Sequence, residues 1–173
     1  CLVFHSLSKR SNLPGLRSGF VAGDAGLITP FKRYRTYHGC AMALPVQRAS
    51  ITAWNDEAHV RANRDAYREK FAAVTEILAP VLAFPTPEAS FYLWPAVPGG
   101  DDEAFTRALF AEEHVSVLPG SYMGRPAADD RMGRPGANGT NPGSGRVRLA
   151  LVAEVDATVE AARRIRRFIE RRL

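Results

Sequence analysis

The sequence predicts an α/β chain: the end of one α/β domain over residues 1–55, a long connecting helix over 56–79 and a small α+β domain over 80–173. Three observations carry that expectation. Residues 1–24 run apolar strand, Ser/Gly-rich loop, second apolar strand, the layout of a sheet edge whose loop meets a ligand. Residues 56–79 keep one helical period for about 24 residues, long for a globular helix and suited to bridging two lobes. Beyond residue 80, short strand-like runs alternate with two amphipathic helices.

Cys1-Leu-Val-Phe4 is a strand pattern already under way at the first residue, so the sequence reads as the C-terminal part of something longer. A Ser-rich polar turn over 5–12 follows. Pro14, Gly15 and Gly19 punctuate a loop, and residues 20–22 form a second strand closed by Gly23 and Asp24. Residues 44–54 read as a helix with its apolar residues on one side. The long helix is capped by Asn55 or Asp56 and stopped by Pro80. Its stripe of Val60, Tyr67, Phe71, Val74 and Leu78 keeps to one helical face, and Glu57 and Arg61 pair on the wet side.

In the last part, 90–97 is an aromatic strand, 101–114 a helix capped by Asp101 or Asp102, and 115–118 a strand ending at Pro119-Gly120. A further strand over 147–152 alternates Arg148 with apolar neighbours. Asp156 caps a final helix whose Val159, Ala162, Ile165, Ile169 and Leu173 face inward. The loop 122–140 repeats Met-Gly-Arg-Pro at 123 and 132, a small duplication that calls for no function.

Composition excludes several classes. With 46% hydrophobic and 24% charged residues the chain is neither disordered nor low-complexity. No apolar run approaches the roughly 20 residues of a membrane span, so no membrane partner is expected. Two cysteines, Cys1 and Cys40, build no disulfide framework and no CxxC pair offers a zinc site; the expectation is a cytoplasmic protein without a metal. His59 and His114 have no partner at ligand spacing and read as solvated or capping residues. The net charge of +5 raises the question of nucleic acid, and six arginines crowd residues 163–172. Their apolar neighbours keep core spacing, Glu160 and Glu170 interleave, and the helix dipole favours cations at that end. A solvated basic face with no nucleic-acid partner is the better expectation.

The chemistry concentrates in Ser6-Leu-Ser-Lys9, followed eight residues later by Arg17 within Leu13-Pro-Gly-Leu-Arg-Ser-Gly19. Two hydroxyls and a guanidinium in a Gly-rich loop at a strand end suit a phosphate, with arginine donating in bidentate fashion. A lysine beside such a site can attack the aldehyde of a phosphorylated cofactor. A free lysine amine titrates near about 10.4 and is nucleophilic only when cations or burial lower that value. Arg10 and Arg17 are the cations nearby in sequence. For an arbitrary S-x-S-K, a solvated lysine in a polar loop is the competing reading.

Residues 5–19 resemble the lysine region of the pyridoxal-phosphate-dependent class I and II aminotransferases: Ser-x-Ser-Lys, then an Arg eight positions after the lysine with glycines around it. The resemblance implies the fold type I architecture of that family. It also implies that Lys9 forms the Schiff base with pyridoxal 5'-phosphate and that Ser6, Ser8 and Arg17 hold the cofactor phosphate. Helix 56–79 is similar to the family's interdomain helix, Phe91-Tyr-Leu-Trp94 to its small-domain strand, and Leu118-Pro-Gly-Ser121 to a loop entry. Gly145-Arg-Val-Arg-Leu-Ala-Leu-Val152 is similar to the strand whose arginine binds the substrate α-carboxylate; the register selects Arg148, not Arg146.

Tyr34-Arg-Thr-Tyr-His-Gly-Cys-Ala-Met42 and residues 141–148 are most similar to the succinyldiaminopimelate-type members of the family, which exchange an amino group between glutamate and an N-succinylated keto acid in lysine biosynthesis. The resemblance implies a homodimer acting on small amino and keto acids. Tyr37 and His38 then either line a pocket shared with the partner subunit or pack in the interface. It covers the whole chain, about the C-terminal two-fifths of such an enzyme. The loop 122–140 departs by being longer. The residues that would pair with the pyridine nitrogen and stack on the ring fall upstream of Cys1, so the chain alone is expected to be inactive. The alternatives are an aminotransferase of another specificity and a catalytically incomplete domain that only mediates interactions.

Overall fold

The computed structural model describes residues 1–39, 41–126 and 140–172. Their contacts divide into two compact units, Cys1–Asp65 and Ala66–Leu173. No described helix is long and apolar enough to cross a membrane.

The first unit opens on a hairpin. β1 (Leu2–Ser6) pairs antiparallel with β2 (Gly19–Gly23), from Leu2 opposite Gly23 to Ser6 opposite Gly19. The strand therefore runs through His5 and Ser6, where the sequence suggested a polar turn beginning at residue 5. His5 stays in the ladder because its ring stacks on Phe20, 5.8 Å away, and both lie within 5.3 Å of the Trp54 ring. The remainder of the expected turn is α1 (Leu7–Arg10), one helical turn with Leu7 fully buried, followed by a 3₁₀ turn at Pro14–Leu16. Sequence reasoning missed α2 (Ala25–Tyr37) altogether. Asp24 caps it by accepting from the Leu27 N–H, but Gly26 and Pro30 lie inside it and no residue of it is buried, so no apolar stripe announced it.

α3 (Leu44–Asn55) forms where expected, yet Leu44 and Ile51 stand exposed and the buried residue is Ser50. α4 (Ala58–Leu78) is the long helix, led in by Asp56, whose carboxylate accepts from the Ala58 N–H. Val60, Val74 and Leu78 of the expected stripe are buried, and Tyr67 and Phe71 half-buried. Glu57 turns to Arg10 rather than Arg61 for its ion pair.

The second unit is a three-stranded antiparallel sheet with helices packed on it. β5 (Val147–Ala150) lies between β3 (Tyr92–Leu93) and β4 (Leu118–Pro119). β3 is shorter than the sequence suggested because Pro95 cannot donate to the ladder, and only an isolated bridge, Ala96 to Arg146, continues it. The strand expected at 115–118 begins only at Leu118. α5 (Asp102–Glu113) starts at Asp101, whose side chain accepts from the Ala104 N–H, and stops at His114, whose left-handed backbone ends the helix. α6 (Val155–Glu170) is preceded by Glu154, so Asp156 sits inside the first turn and is not the cap; there the Thr158 hydroxyl donates to the Ala153 carbonyl instead.

Leu78, Leu93, Leu109, Val147, Leu149, Ile165 and Phe168 form the core. Phe168, which the sequence argument left out, meets the Phe105 ring edge-on at 5.4 Å. Leu173 and the second half of the 123/132 duplication lie outside the described residues. The arginines of α6 find carboxylates: Arg164 bonds Glu160 at 3.0 Å, Arg166 bonds Glu170 at 2.7 Å, and Arg171 reaches Glu113 at 2.5 Å. The Arg171 hydrogen bond holds the Glu113 carboxyl below its ordinary range.

Candidate active site

The hairpin register decides where the Ser-x-Ser-Lys segment sits. Ser6 is the last ladder residue of β1, opposite Gly19, so the excursion from Leu7 to Ser18 leaves and re-enters the sheet at one end. A Cβ on Gly19 would come within 2.7 Å of the His5 carbonyl, which is why this entry to β2 needs glycine. The Leu7 N–H donates to the Ser18 carbonyl, and Ser11 and Leu13 both donate back to the Leu7 carbonyl. Leu7 is thus the buried pin of the loop, while Ser8 is half-buried and Lys9 faces solvent. Ser6 precedes α1 without bonding it through its hydroxyl, which leaves the oxygen for another partner. Ser6, Ser8, Lys9 and Arg17 belong to this single loop.

Arg17 ends the 3₁₀ turn in a left-handed conformation (φ 50°, ψ 36°), unusual for a residue with a side chain. Its guanidinium donates to the Pro14 carbonyl at 2.9 Å, and the side chain is exposed. Held strain of this kind gathers where a side chain must face a ligand. Two hydroxyls, an amine and a guanidinium on one short loop fit a phosphorylated aldehyde: three groups donate to an anion and the fourth is a nucleophile.

Sequence reasoning missed what fastens the loop. Ser18 and Ser50, both buried, are joined by a 2.7 Å hydrogen bond that ties the loop to α3. Asn12, also left-handed, bonds Asn63 of α4 at 2.8 Å. Arg10, a cation next to Lys9 in sequence, is committed elsewhere. It donates to the Ala53 and Trp54 carbonyls, pairs with Glu57 and lies over the Trp54 ring at 4.9 Å, so its charge is balanced where it sits. Lone serines and an arginine next to a lysine carry no sequence signal for such clasps.

Tyr37 and His38 end α2. The His38 ring stacks on Tyr34 at 4.7 Å, Arg35 donates to the His38 carbonyl at 2.9 Å, and Tyr37 is 83% exposed. His59 bonds the Asp56 carboxylate at 2.8 Å, and that bond first of all lowers the Asp56 carboxyl below its usual range.

Arg148 belongs to the second unit, on the central strand β5, with Leu118 of β4 directly across. Its guanidinium lies 4.7 Å from the centre of the Tyr92 ring, and its buried Nε has no hydrogen-bond partner. Arg146, two residues earlier, donates to the Trp94 carbonyl at 3.1 Å. The turn feeding β5 is braced by Asp102, which sequence reasoning treated only as a possible helix cap. Buried at the start of α5, its carboxylate accepts from the Ser121 N–H at 2.8 Å and the Gly145 N–H at 3.1 Å. Burial pushes that carboxyl up, but the hydrogen bonds together outweigh it and hold it below the usual range.

Residues 1–165 match the family described as aminotransferase class I and II. An aminotransferase from Neisseria meningitidis has a similar structure, with a TM-score of 0.86 and 53% identity over 97% of this chain and 40% of that one. A probable N-succinyldiaminopimelate aminotransferase from Thermus thermophilus superposes with a TM-score of 0.78 at 31% identity, over 96% of this chain and 41% of that one. Among curated relatives, the LL-diaminopimelate aminotransferase of Syntrophobacter fumaroxidans is 30% identical over 95% of this chain and 39% of its own length. The chain therefore spans about two-fifths of the length of the proteins it matches.

Proposed function

The chain belongs to the family of class I and II aminotransferases, and from that premise we propose that it carries the catalytic lysine, phosphate site and carboxylate arginine of a pyridoxal-phosphate-dependent transaminase. The observation that carries the proposal is the loop from Ser6 to Arg17, closed by the Ser6–Gly19 register and the Leu7–Ser18 hydrogen bond. In it Lys9 binds the cofactor covalently, and Ser6, Ser8 and Arg17 anchor the phosphate. The cofactor, when bound, supplies the ring that takes up electrons from the substrate α-carbon.

The chain's own residues do the rest. Once the substrate amine has taken its place on the cofactor, the freed Lys9 amine would take the proton from the substrate α-carbon and return it on the other side of the transfer, a role that requires direct reach. Arg17 fixes one end of the site, so that lysine and substrate keep their relative position through the exchange. Arg148 pairs with the substrate α-carboxylate and orients the reacting C–H bond. Arg148 suits this better than Arg146, because Arg146 already spends a donor on the Trp94 carbonyl whereas the Arg148 Nε has no partner.

As substrate we propose an N-succinylated diaminopimelate-type amino acid with glutamate as the other partner, supported by the Tyr34–Met42 segment and by the Thermus relative. A second reading, unsubstituted LL-diaminopimelate, is favoured by the Syntrophobacter relative. We propose a cytoplasmic homodimer, with Tyr37 and His38 at the partner's pocket or in the interface. The exposed apolar side chains of Val3, Phe20, Leu44 and Ile51 support a covered surface on the first unit.

The test is steady-state transamination by the whole protein with pyridoxal phosphate, 2-oxoglutarate and each of the two amino donors. Turnover should favour the succinylated donor, and Lys9→Ala should lower kcat by about a thousandfold or more. Turnover that survives in Lys9→Ala refutes the lysine's role; preference for the free diamine replaces the substrate reading but leaves the chemistry standing.

A further inference from the structure

We infer that Tyr92 is the positioning residue of Arg148: its ring face holds the guanidinium where a protein carboxylate would otherwise hold it. The inference rests on the proposed role of Arg148 toward the substrate carboxylate. The β3–β5 register sets Tyr92 opposite Ala150, which makes Tyr92 and Arg148 diagonal neighbours on one face of the sheet. At that diagonal an aromatic ring and a long side chain can meet. They do: the guanidinium carbon is 4.7 Å from the ring centroid, inside the roughly 6 Å over which the ring quadrupole attracts a cation. Phe91 flanks the ring in turn, 4.3 Å between centroids.

The neighbours explain why the ring matters. Across β4 the residue facing Arg148 is Leu118, which offers no charge. Among the described residues, no ion pair includes Arg148, whereas Arg164, Arg166, Arg167, Arg171 and Arg172 of the same unit each pair with a glutamate. Its Nε is buried and unpartnered. A fixed carboxylate would neutralise the guanidinium and compete with an incoming substrate carboxylate. An aromatic face orients the cation and leaves its charge and in-plane N–H donors for a ligand. Tyr92 therefore acts through Arg148 and sets how well the carboxylate is held.

The experiment compares KM and kcat for the amino and keto substrates in the whole protein and in Tyr92→Phe, Tyr92→Leu, Arg148→Ala and the double variant Arg148→Ala/Tyr92→Leu, with circular dichroism confirming that each folds. Tyr92→Phe should stay within about twofold of the parent, because the ring face remains. Tyr92→Leu should raise KM for both substrates about three- to thirtyfold, with kcat moving less, and should add nothing once Arg148 is gone. An unchanged KM in Tyr92→Leu, an equal rise in Tyr92→Phe, or an undiminished effect in the Arg148→Ala background overturns the inference. An Arg148→Ala variant with both KM values unchanged overturns the carboxylate role itself, and this inference with it, so the two failures are told apart.

Discussion

The second unit, Ala66–Leu173, closes over an apolar core that includes Leu78, Leu109, Val147 and Phe168, whereas the first, Cys1–Asp65, buries Leu7 and Val60 and leaves Phe4, Leu44 and Ile51 more than half exposed. What fixes the first unit is polar: the β1–β2 ladder, the Leu7–Ser18 hydrogen bond, the Ser18–Ser50 bond and the grip of Arg10 on the Ala53 and Trp54 carbonyls. The contrast separates two jobs. A loop that faces a ligand, as proposed for this one, is held from behind by directional bonds and the single buried side chain of Leu7. The second unit instead has a packed core, and its Arg148 stands on the central strand of the sheet.

That contrast can be broken by truncating aromatic residues in each unit. Phe168→Ala should cost about 3–5 kcal/mol of unfolding free energy, since the ring is fully buried against Phe105. Phe4→Ala, at a side chain 66% exposed, should stay within about 0.5 kcal/mol in the same denaturant titration. Equal losses would mean that Phe4 is as closely packed as Phe168 and that the contrast fails at this position.

Asp102 sharpens the comparison with a pH signature. Its carboxyl titrates below the ordinary range in the folded chain, so its contribution is fully present at neutral pH and is lost as the pH falls through the folded value, below about pH 4. Asp102→Asn should destabilise the protein by about 1–3 kcal/mol at pH 7, with the difference from the parent shrinking in acid. A difference that holds constant down to pH 2 would show that the charge on Asp102 is not what braces Ser121 and Gly145.

A smaller loss than at Phe168 or Asp102 is expected in the polar clasp. Ser50→Ala removes the bond to Ser18 and should cost about 1 kcal/mol, lowering the melting temperature and weakening cofactor binding together. Thermal melts and cofactor titration of the same variant check both halves; a melting shift without a cofactor effect would make Ser50 a purely structural residue.

Legibility in the sequence followed the same division. The stripe of α4 and the inward face of α6 were readable because burial writes a 3.6-residue period into them. α2 was not, because none of its residues is buried and Pro30 interrupts its pattern. In the loop, the Ser-x-Ser-Lys and Arg17 spacing stood out through its resemblance, but the groups that hold it did not: Ser18, Ser50 and Asn12 act through contacts to residues 32 to 51 positions away. In the second unit Asp102 was equally silent, because it braces backbone N–H groups that carry no residue identity. Arg10 is adjacent to Lys9 in sequence, but its charge pairs with Glu57.

The most direct test of the account is to reduce the whole protein with borohydride in the presence of pyridoxal phosphate, digest it and map the modified peptide by mass spectrometry. The account predicts a single pyridoxyl mass, on Lys9, lost in Lys9→Arg. A label on Lys32 or Lys70, or none on Lys9, would contradict it.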